Sequence, residues 1–258
     1  MENKLLLMDS LEYLVYPSRY NIERLSMRND EPVAMPLSVV PAVQTADWWL
    51  PRHEQKLAEK NTMESVDLVF LGDSITQGWE DAGRAVWDEC YAPFNALNLG
   101  FNGDRTEHVL WRLAHGAVDN ITPKLLVLLV GTNNTGHRQD SAAETALGIQ
   151  HILSVLREKL PQTKILLLAI FPRSAKPSQK LRVLNDSVNR LIASYGDGDW
   201  VSYLDLSDCF LDGTGRVSPD IMADYLHLNA PQYRVWANAI APHLFCSGEQ
   251  NALICHNS

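Results

Sequence analysis

The sequence predicts a three-layer α/β/α sandwich with a central five-stranded parallel sheet. Two observations carry this prediction. Five short runs are almost continuously hydrophobic, as strands buried on both faces are. Helical patterns lie between these runs, and strands that alternate with helices are typical of a parallel sheet covered on both sides. With 258 residues, of which 46% are hydrophobic, the chain can form such a core without disulfides or metals.

The five hydrophobic runs have the length of single strands. They span residues 66–71, 96–100, 125–130, 165–170 and 201–206. The first and third runs end at Gly72 and Gly131, and the fourth is closed by Pro172, all residue types that interrupt strands. In a sheet of this kind, ligands bind beyond the carboxyl ends of the strands. We therefore expect the functional residues to follow the runs directly.

Apolar residues recur every three or four positions in two of the connecting segments. The two stripes consist of Ala146, Ile149, Leu153, Leu156 and Leu160, and of Leu181, Leu184, Val188 and Leu191. This spacing places each stripe on one face of a helix. A further helix is predicted to begin after Asn229 as its N-cap, with Pro231 in the first turn, and to run to about His243.

The two ends of the chain differ from the regular part. Residues 1–46 contain four prolines, and only a short helix at residues 10–16 is predicted there. We interpret them as an N-terminal arm that packs on the domain or on a second subunit, with a poorly ordered extension as an equal alternative. Residues 47–246 are the predicted domain, and residues 247–258 are a flexible tail. The first nine residues make a poor signal peptide because their apolar stretch is short and an acid follows it.

Charge and cysteine content narrow the function classes. The net charge is −9, from 31 acidic and 22 basic residues, which argues against nucleic acid or an anionic membrane as a partner. No apolar run reaches the roughly 18 residues that a membrane span requires. The four cysteines form no CxxC pair, so we interpret them as reduced thiols and expect a cytoplasmic protein.

Blocks that contain glycine and polar residues lie at the ends of the first three runs, and a fourth polar block precedes the last helix. They are Gly72-Asp73-Ser74-Ile75, Asn98-Leu99-Gly100-Phe101-Asn102-Gly103, Gly131-Thr132-Asn133-Asn134 and Asp224-Tyr225-Leu226-His227. Together they hold the groups that acyl transfer to a serine requires. A hydroxyl needs a base, the base needs a carboxylate that orients it, and the developing oxyanion needs preorganised donors.

The four blocks resemble those of the GDSL esterases and lipases, whose SGNH subgroup is named for a serine, a glycine, an asparagine and a histidine. The resemblance implies the flavodoxin-like version of the α/β/α fold. It implies Ser74 as nucleophile, His227 as base and Asp224 as the acid that orients the base. The oxyanion hole would then consist of the Ser74 and Gly103 N–H groups and the Asn133 side-chain amide. No metal or organic cofactor is implied.

Four segments carry a second resemblance, which covers roughly residues 47–244: Ala96–Gly100, His108–Leu113, Val130–Asn134 and Asp224–Leu228. They resemble the catalytic subunits of intracellular platelet-activating-factor acetylhydrolase and their bacterial relatives. This resemblance implies a small ester substrate with a short acyl group, acetyl above all, and a homodimer. The alcohol half of the ester stays open between a sugar, a phospholipid backbone and an aryl alcohol. One departure is Asn102, where a second glycine is expected; asparagine tolerates left-handed backbone better than most residues.

Alternatives to this interpretation stay open at two levels. The same residues would serve a thioesterase, a lysophospholipase or an esterase for O-acetylated carbohydrate, and the fold could also be a binding module without activity. Among single residues, Ser74 and Asn133 could be helix caps, and Asp224 could be a surface acid. Asp73 is expected to brace the site loops rather than to react.

Overall fold

The computed structural model of the chain describes residues 35–244. The predicted helix at residues 10–16, most of the arm and the tail from residue 247 lie outside the described residues. The predicted boundaries of the arm, the domain and the tail therefore stay predictions.

A five-stranded parallel sheet forms the centre of the described chain, which confirms the predicted fold class. Its strands are β1 (Leu68–Gly72), β2 (Ala96–Gly100), β3 (Leu125–Leu129), β4 (Lys164–Leu168) and β5 (Val201–Leu204). Their order across the sheet is β2-β1-β3-β4-β5. This is the flavodoxin-like order, in which the chain reverses its direction of travel between β1 and β3. A crevice for a ligand is therefore expected at the carboxyl ends of these two strands.

Three strands, β3, β4 and β5, end one or two residues earlier than the hydrophobic runs predict, β5 at Leu204. The ends of β3 and β4 have a local cause. The β3 strand stops at Leu129 because the chain turns at Gly131, whose φ of +128° is open to few residues other than glycine. The β4 strand stops at Leu168, and two residues later the Ile170 N–H donates to the side chain of Asn189 instead of to a neighbouring strand. Both ends free the chain to enter the loops at the carboxyl edge.

Helices cover both faces of the sheet. They are α1 (Trp49–Thr62), α2 (Ser74–Gln77), α3 (Arg84–Cys90), α4 (Thr106–Ala114), α5 (Ala142–Lys159), α6 (Lys180–Ile192) and α7 (Ala230–Ile240). The buried residues of α4, α5 and α6 pack in one hydrophobic cluster, and those of α2, α3 and α7 pack in another. The sheet contributes to both clusters because its side chains alternate between the faces.

The predicted stripe on α5 is buried, and the helix begins at a reciprocal cap between Ser141 and Glu144. The helix α7 follows Asn229 with Pro231 in its first turn, as predicted, and a 3₁₀ turn continues it to His243.

The second predicted helix forms as α6, but its apolar stripe is only partly buried. Val188 is buried, but Leu191 is 44% exposed. The face that packs on the sheet carries Asn185 and Asn189, whose amides bond to loops at the strand ends. Polar side chains thus take core positions because backbone and hydroxyl groups near the sheet edge need partners.

No helix within residues 35–244 combines the length and the apolar character needed to cross a membrane. Of the four cysteines, the structure describes two: Cys90 is buried and Cys209 is exposed.

Candidate active site

Ser74 stands at the junction of β1 and α2. The strand ends at Gly72, where a Cβ atom would lie 2.3 Å from the carbonyl oxygen of Leu129, so only glycine fits. Asp73 caps the helix, because its side chain accepts the Ile75 N–H at 3.0 Å. Ser74 is therefore the first residue of the helix and not its cap, and its hydroxyl is free for another partner.

His227 and Asp224 lie together in the loop that precedes α7. The chain turns at Tyr225, whose φ is +59°. One carboxylate oxygen of Asp224 accepts the N–H groups of Leu226 at 3.0 Å and of His227 at 2.8 Å. The other oxygen lies 2.6 Å from Nδ1 of the His227 ring. The three-residue spacing thus lets one loop orient the ring against its carboxylate.

The structure brings Ser74 and His227 into hydrogen-bond contact. The distance from Nε2 of His227 to Oγ of Ser74 is 2.9 Å. With Asp224 accepting the proton on Nδ1, Nε2 is left to accept the hydroxyl proton of Ser74. Burial acts to raise the pKa of Asp224, but the hydrogen bonds from His227 and Leu226 outweigh it and hold that pKa below its usual value. The carboxylate therefore stays charged beside the ring.

Gly103 occupies a tight turn after β2. The Asp104 N–H donates to the Phe101 carbonyl at 3.1 Å, and Gly103 between them has a φ of +72°. A turn with positive φ at its third residue is of type II, which suits glycine there. Asn102 does not have a positive φ, and its N–H donates to Oε1 of Gln77 at 2.8 Å. The departure from glycine at position 102 therefore causes no backbone strain.

Asn133 follows β3 and is buried. One N–H of its side-chain amide donates to the Asp104 carbonyl at 3.0 Å, which places the amide beside the Gly103 turn. Its neighbour Asn134 is structural, because its amide bonds to Thr106 and Asp140. Within residues 35–244, the backbone N–H groups of Ser74 and Gly103 donate no hydrogen bond, so both are free to bind an oxyanion.

A buried ion pair behind this turn was not expected from the sequence. Arg112 of α4 is fully buried and donates to Oδ2 of Asp104 at 2.9 Å and to the Gly72 carbonyl at 3.3 Å. The indole N–H of Trp49 donates to Oδ1 of Asp104 at 2.6 Å. Burial raises the pKa of Asp104 to about 6, against the opposing effect of Arg112. This network joins the end of β1 to the Gly103 turn.

Arg173 is a second unexpected neighbour of the site. Its guanidinium donates to the carbonyl and hydroxyl of Thr132 at 2.8 and 3.2 Å. Its charge acts on Asp73 and Asp224. Burial and the nearby charge of Asp104 raise the pKa of Asp73 to about 7, and Arg173 opposes this rise. Because Arg173 follows Pro172, which closes the predicted fourth run, the rule that site residues follow strands could have found it.

Within the described part of the chain, no three His, Cys, Asp or Glu side chains are grouped so that they could hold a metal ion. The groups that the structure does assemble are a hydroxyl, an imidazole, a carboxylate and several N–H donors.

Comparison with known proteins decides the family. The model of the GDSL-like lipase/acylhydrolase family matches residues 70–235. The chain belongs to this family. As a GDSL-type acylhydrolase, it is a carboxylic ester hydrolase, and the matched segment contains every residue of the predicted catalytic set.

The relatives agree with this family, and the solved structures agree with the fold. The chain is 36% identical over 210 residues to platelet-activating factor acetylhydrolase IB subunit alpha2 of Rattus norvegicus, covering 81% of this chain and 88% of the relative. Its fold is similar to a GDSL-like lipase from Bacteroides thetaiotaomicron, with a TM-score of 0.63, 18% identity and coverage of 74% and 96% of the two chains. It is also similar to Axe2, an acetylxylan esterase from Geobacillus stearothermophilus, with a TM-score of 0.57, 15% identity and coverage of 72% and 98%.

Proposed function

We propose that the GDSL-type hydrolase is a serine esterase that removes short acyl groups, acetyl above all, from small esters. The observation that carries this proposal is the hydrogen-bonded row in which Ser74 Oγ lies 2.9 Å from His227 Nε2 and His227 Nδ1 lies 2.6 Å from Asp224. This row has the order and the distances that an activated serine requires.

The proposed reaction proceeds through an acyl-enzyme. Ser74 Oγ attacks the ester carbonyl while His227 takes the hydroxyl proton, and Asp224 stabilises the imidazolium that forms. The Ser74 N–H, the Gly103 N–H and the Asn133 amide bind the oxyanion. His227 then gives its proton to the departing alcohol. Water, deprotonated by the same ring, attacks the acyl group and releases the acid.

The name of the acetylhydrolase relative supports acetyl as the acyl group. A thioesterase, a lysophospholipase and an esterase for O-acetylated carbohydrate use the same residues and stay alternatives. They differ in the pocket beside Ser74 and not in the catalytic groups, so substrate profiling distinguishes them.

The first experiment compares hydrolysis of p-nitrophenyl acetate with that of the decanoate ester. We expect the acetate to react faster, and a preference for the decanoate would contradict the short-acyl proposal. Acyl-CoA, lysolipid and acetylated sugar substrates then test the alternatives.

The nucleophile is tested with Ser74→Ala, which should lower kcat by at least about 10³-fold and abolish labelling by a fluorophosphonate, with the circular dichroism spectrum unchanged. Ser187→Ala is the matched control and should retain activity, because the Ser187 hydroxyl bonds only within α6, donating to the Val183 carbonyl and accepting from Arg190. Full activity or full labelling in Ser74→Ala would show that another residue is the nucleophile.

Assembly as a homodimer and a cytoplasmic location are further proposals, the first from the resemblance to the acetylhydrolase subunits and the second from the cysteines. Light scattering at micromolar concentration tests the dimer, and a clean monomer would contradict it.

A further inference from the structure

Gln44 lies outside the family match and contacts the turn that carries Gly103. We propose that Gln44 is a positioning residue, which holds the Asn102–Gly103 peptide so that the Gly103 N–H faces the oxyanion. This inference rests on the proposed function, because it assigns Gln44 to the oxyanion hole of that same site.

The side-chain amide of Gln44 bonds on both sides of Gly103. Its Nε2 donates to the Asn102 carbonyl at 3.1 Å and to Oδ1 of Asp104 at 3.1 Å. A primary amide nitrogen has two hydrogens, so both contacts can be made at once. A Cβ atom on Gly103 would lie 3.7 Å from this nitrogen, so the amide also borders the open face of the glycine.

The contact with the Asn102 carbonyl sets the direction of the Gly103 N–H. A peptide unit is planar, and its C=O and N–H point in opposite directions. The bond from Gln44 therefore fixes the carbonyl, and with it the N–H at the other end of the same plane. Hydrogen bonding at the carbonyl also polarises the N–H and strengthens it as a donor.

The Gly103 turn has an alternative conformation, which the hydrogen bonds of Gln44 disfavour. Type I and type II turns differ mainly in the orientation of their central peptide, which here joins Asn102 to Gly103. Glycine populates positive and negative φ about equally, so at Gly103 the cost of the alternative is small. After a flip to type I, the Gly103 N–H would no longer point at the oxyanion, and the Asn102 carbonyl would no longer meet Gln44.

Gln44 is also linked, through Asp104, to the third proposed oxyanion donor, the Asn133 amide. Its second acceptor, Asp104, uses its backbone carbonyl to hold the Asn133 amide at 3.0 Å. The carboxylate of Asp104 is shared by Gln44, Trp49 and Arg112. Gln44 thus supports Asp104, which links the Gly103 turn to the Asn133 amide.

The segment that carries Gln44 is itself held on the domain. The Ala42 N–H donates to the Glu107 carbonyl at 3.1 Å, and the Ser38 hydroxyl donates to the Glu144 carbonyl at 2.7 Å. If Gln44 had only a structural role, it would therefore be one more anchor of this segment. Ser38 offers the matched control, because it anchors the same segment away from Gly103.

The test compares Gln44→Met, which keeps the length of the side chain and removes its donors, with Ser38→Ala. For p-nitrophenyl acetate, we expect Gln44→Met to lower kcat about 10-fold or more while KM changes less than twofold, because the oxyanion forms only in the reaction. Ser38→Ala should lower the melting temperature and keep kcat. Gln44→Met with kcat within twofold of wild type, or equal kcat losses in the two variants, would overturn the inference.

A second readout does not depend on activity. In protein labelled with ¹⁵N-glycine, Gln44→Met should shift or split the amide resonance of Gly103, and Ser38→Ala should leave it in place. An unchanged Gly103 resonance in Gln44→Met would overturn the inference, even if the wild-type protein hydrolysed no ester. Absence of hydrolysis in the wild type would instead contradict the proposed function.

Discussion

The Nε2 atom of His227 lies 2.9 Å from the Oγ atom of Ser74, although 153 positions separate the two residues along the chain. The contact forms because Ser74 follows β1 and His227 precedes α7, which packs on the same face of the sheet as the helix that Ser74 begins. Tyr233 of α7 secures this arrangement, since its hydroxyl donates to the Ile75 carbonyl at 2.9 Å.

Asp224→Asn should lower kcat for acetate esters by about 10² to 10⁴-fold. The asparagine oxygen can still accept the backbone N–H groups of Leu226 and His227. Its NH₂ then faces Nδ1 and favours the His227 tautomer with the proton on Nε2, which cannot accept the proton of Ser74. Steady-state kinetics measures the effect. Asp220→Asn, at an exposed position of the same loop, is the control and should retain kcat.

Asn133→Ala should lower kcat by about 10² to 10³-fold with a small change in KM, because a donor to the oxyanion acts in the transition state. The Asp104 carbonyl also loses the bond from this amide, so a modest fall in melting temperature is expected. Asn61→Ala, on the exposed face of α1, controls for the substitution itself. A loss of less than fivefold would remove Asn133 from the oxyanion hole.

Asp73→Asn should change how stability depends on pH. The pKa of Asp73 is raised from 3.8 to about 7 in the folded protein, mainly by burial. The folded state thus keeps a proton that the unfolded chain releases above about pH 4. The stability from this proton is complete below pH 3.8 and is lost as the pH rises towards 7. Asparagine has no such dependence and keeps an oxygen to cap α2.

We therefore expect the melting temperature of Asp73→Asn to rise relative to wild type between pH 4 and pH 8, with a free-energy difference of roughly 4 kcal/mol at most. The buried rings of His53 and His108 have pKa values lowered to about 4, so both proteins lose stability in acid as the pH falls from 6.5 towards 4. Both proteins contain these histidines, so their effect cancels in the difference between the two melting temperatures. If the two melting temperatures differed by the same amount at every pH in this range, the raised pKa of Asp73 would be contradicted.

The sheet and the main site residues could be predicted because local signals mark them. Buried parallel strands are continuous apolar runs, and the residues after β1, β2 and β3 therefore had a predictable place at one edge. Ser74, Gly103 and Asn133 lie at these positions. The role of His227 was predicted from the resemblance of the block Asp224–His227 to the last block of the GDSL family.

The rest of the site could not be predicted because its partners are distant and its signals are weak. Gln44 lies in a segment that has no periodicity and forms neither helix nor strand. Arg112 is a charged residue in an amphipathic helix, where a solvent-facing position is the ordinary expectation. On α6, the leucines suggested one buried face, while Asn185 and Asn189 occupy it to bond groups from other elements. Buried positions of polar side chains such as these depend on tertiary hydrogen bonds, which no local sequence pattern indicates.

The bond from Trp49 to Asp104 bears on how this protein can be shortened. Trp49 lies upstream of the family match, which starts at residue 70, yet its indole covers the carboxylate that pairs with Arg112. An expression fragment that began at residue 70 would lack Trp49, and water would reach the ion pair between Asp104 and Arg112, which is fully buried in the structure. The practical boundary for a recombinant protein therefore lies upstream of α1, well before the family signature begins.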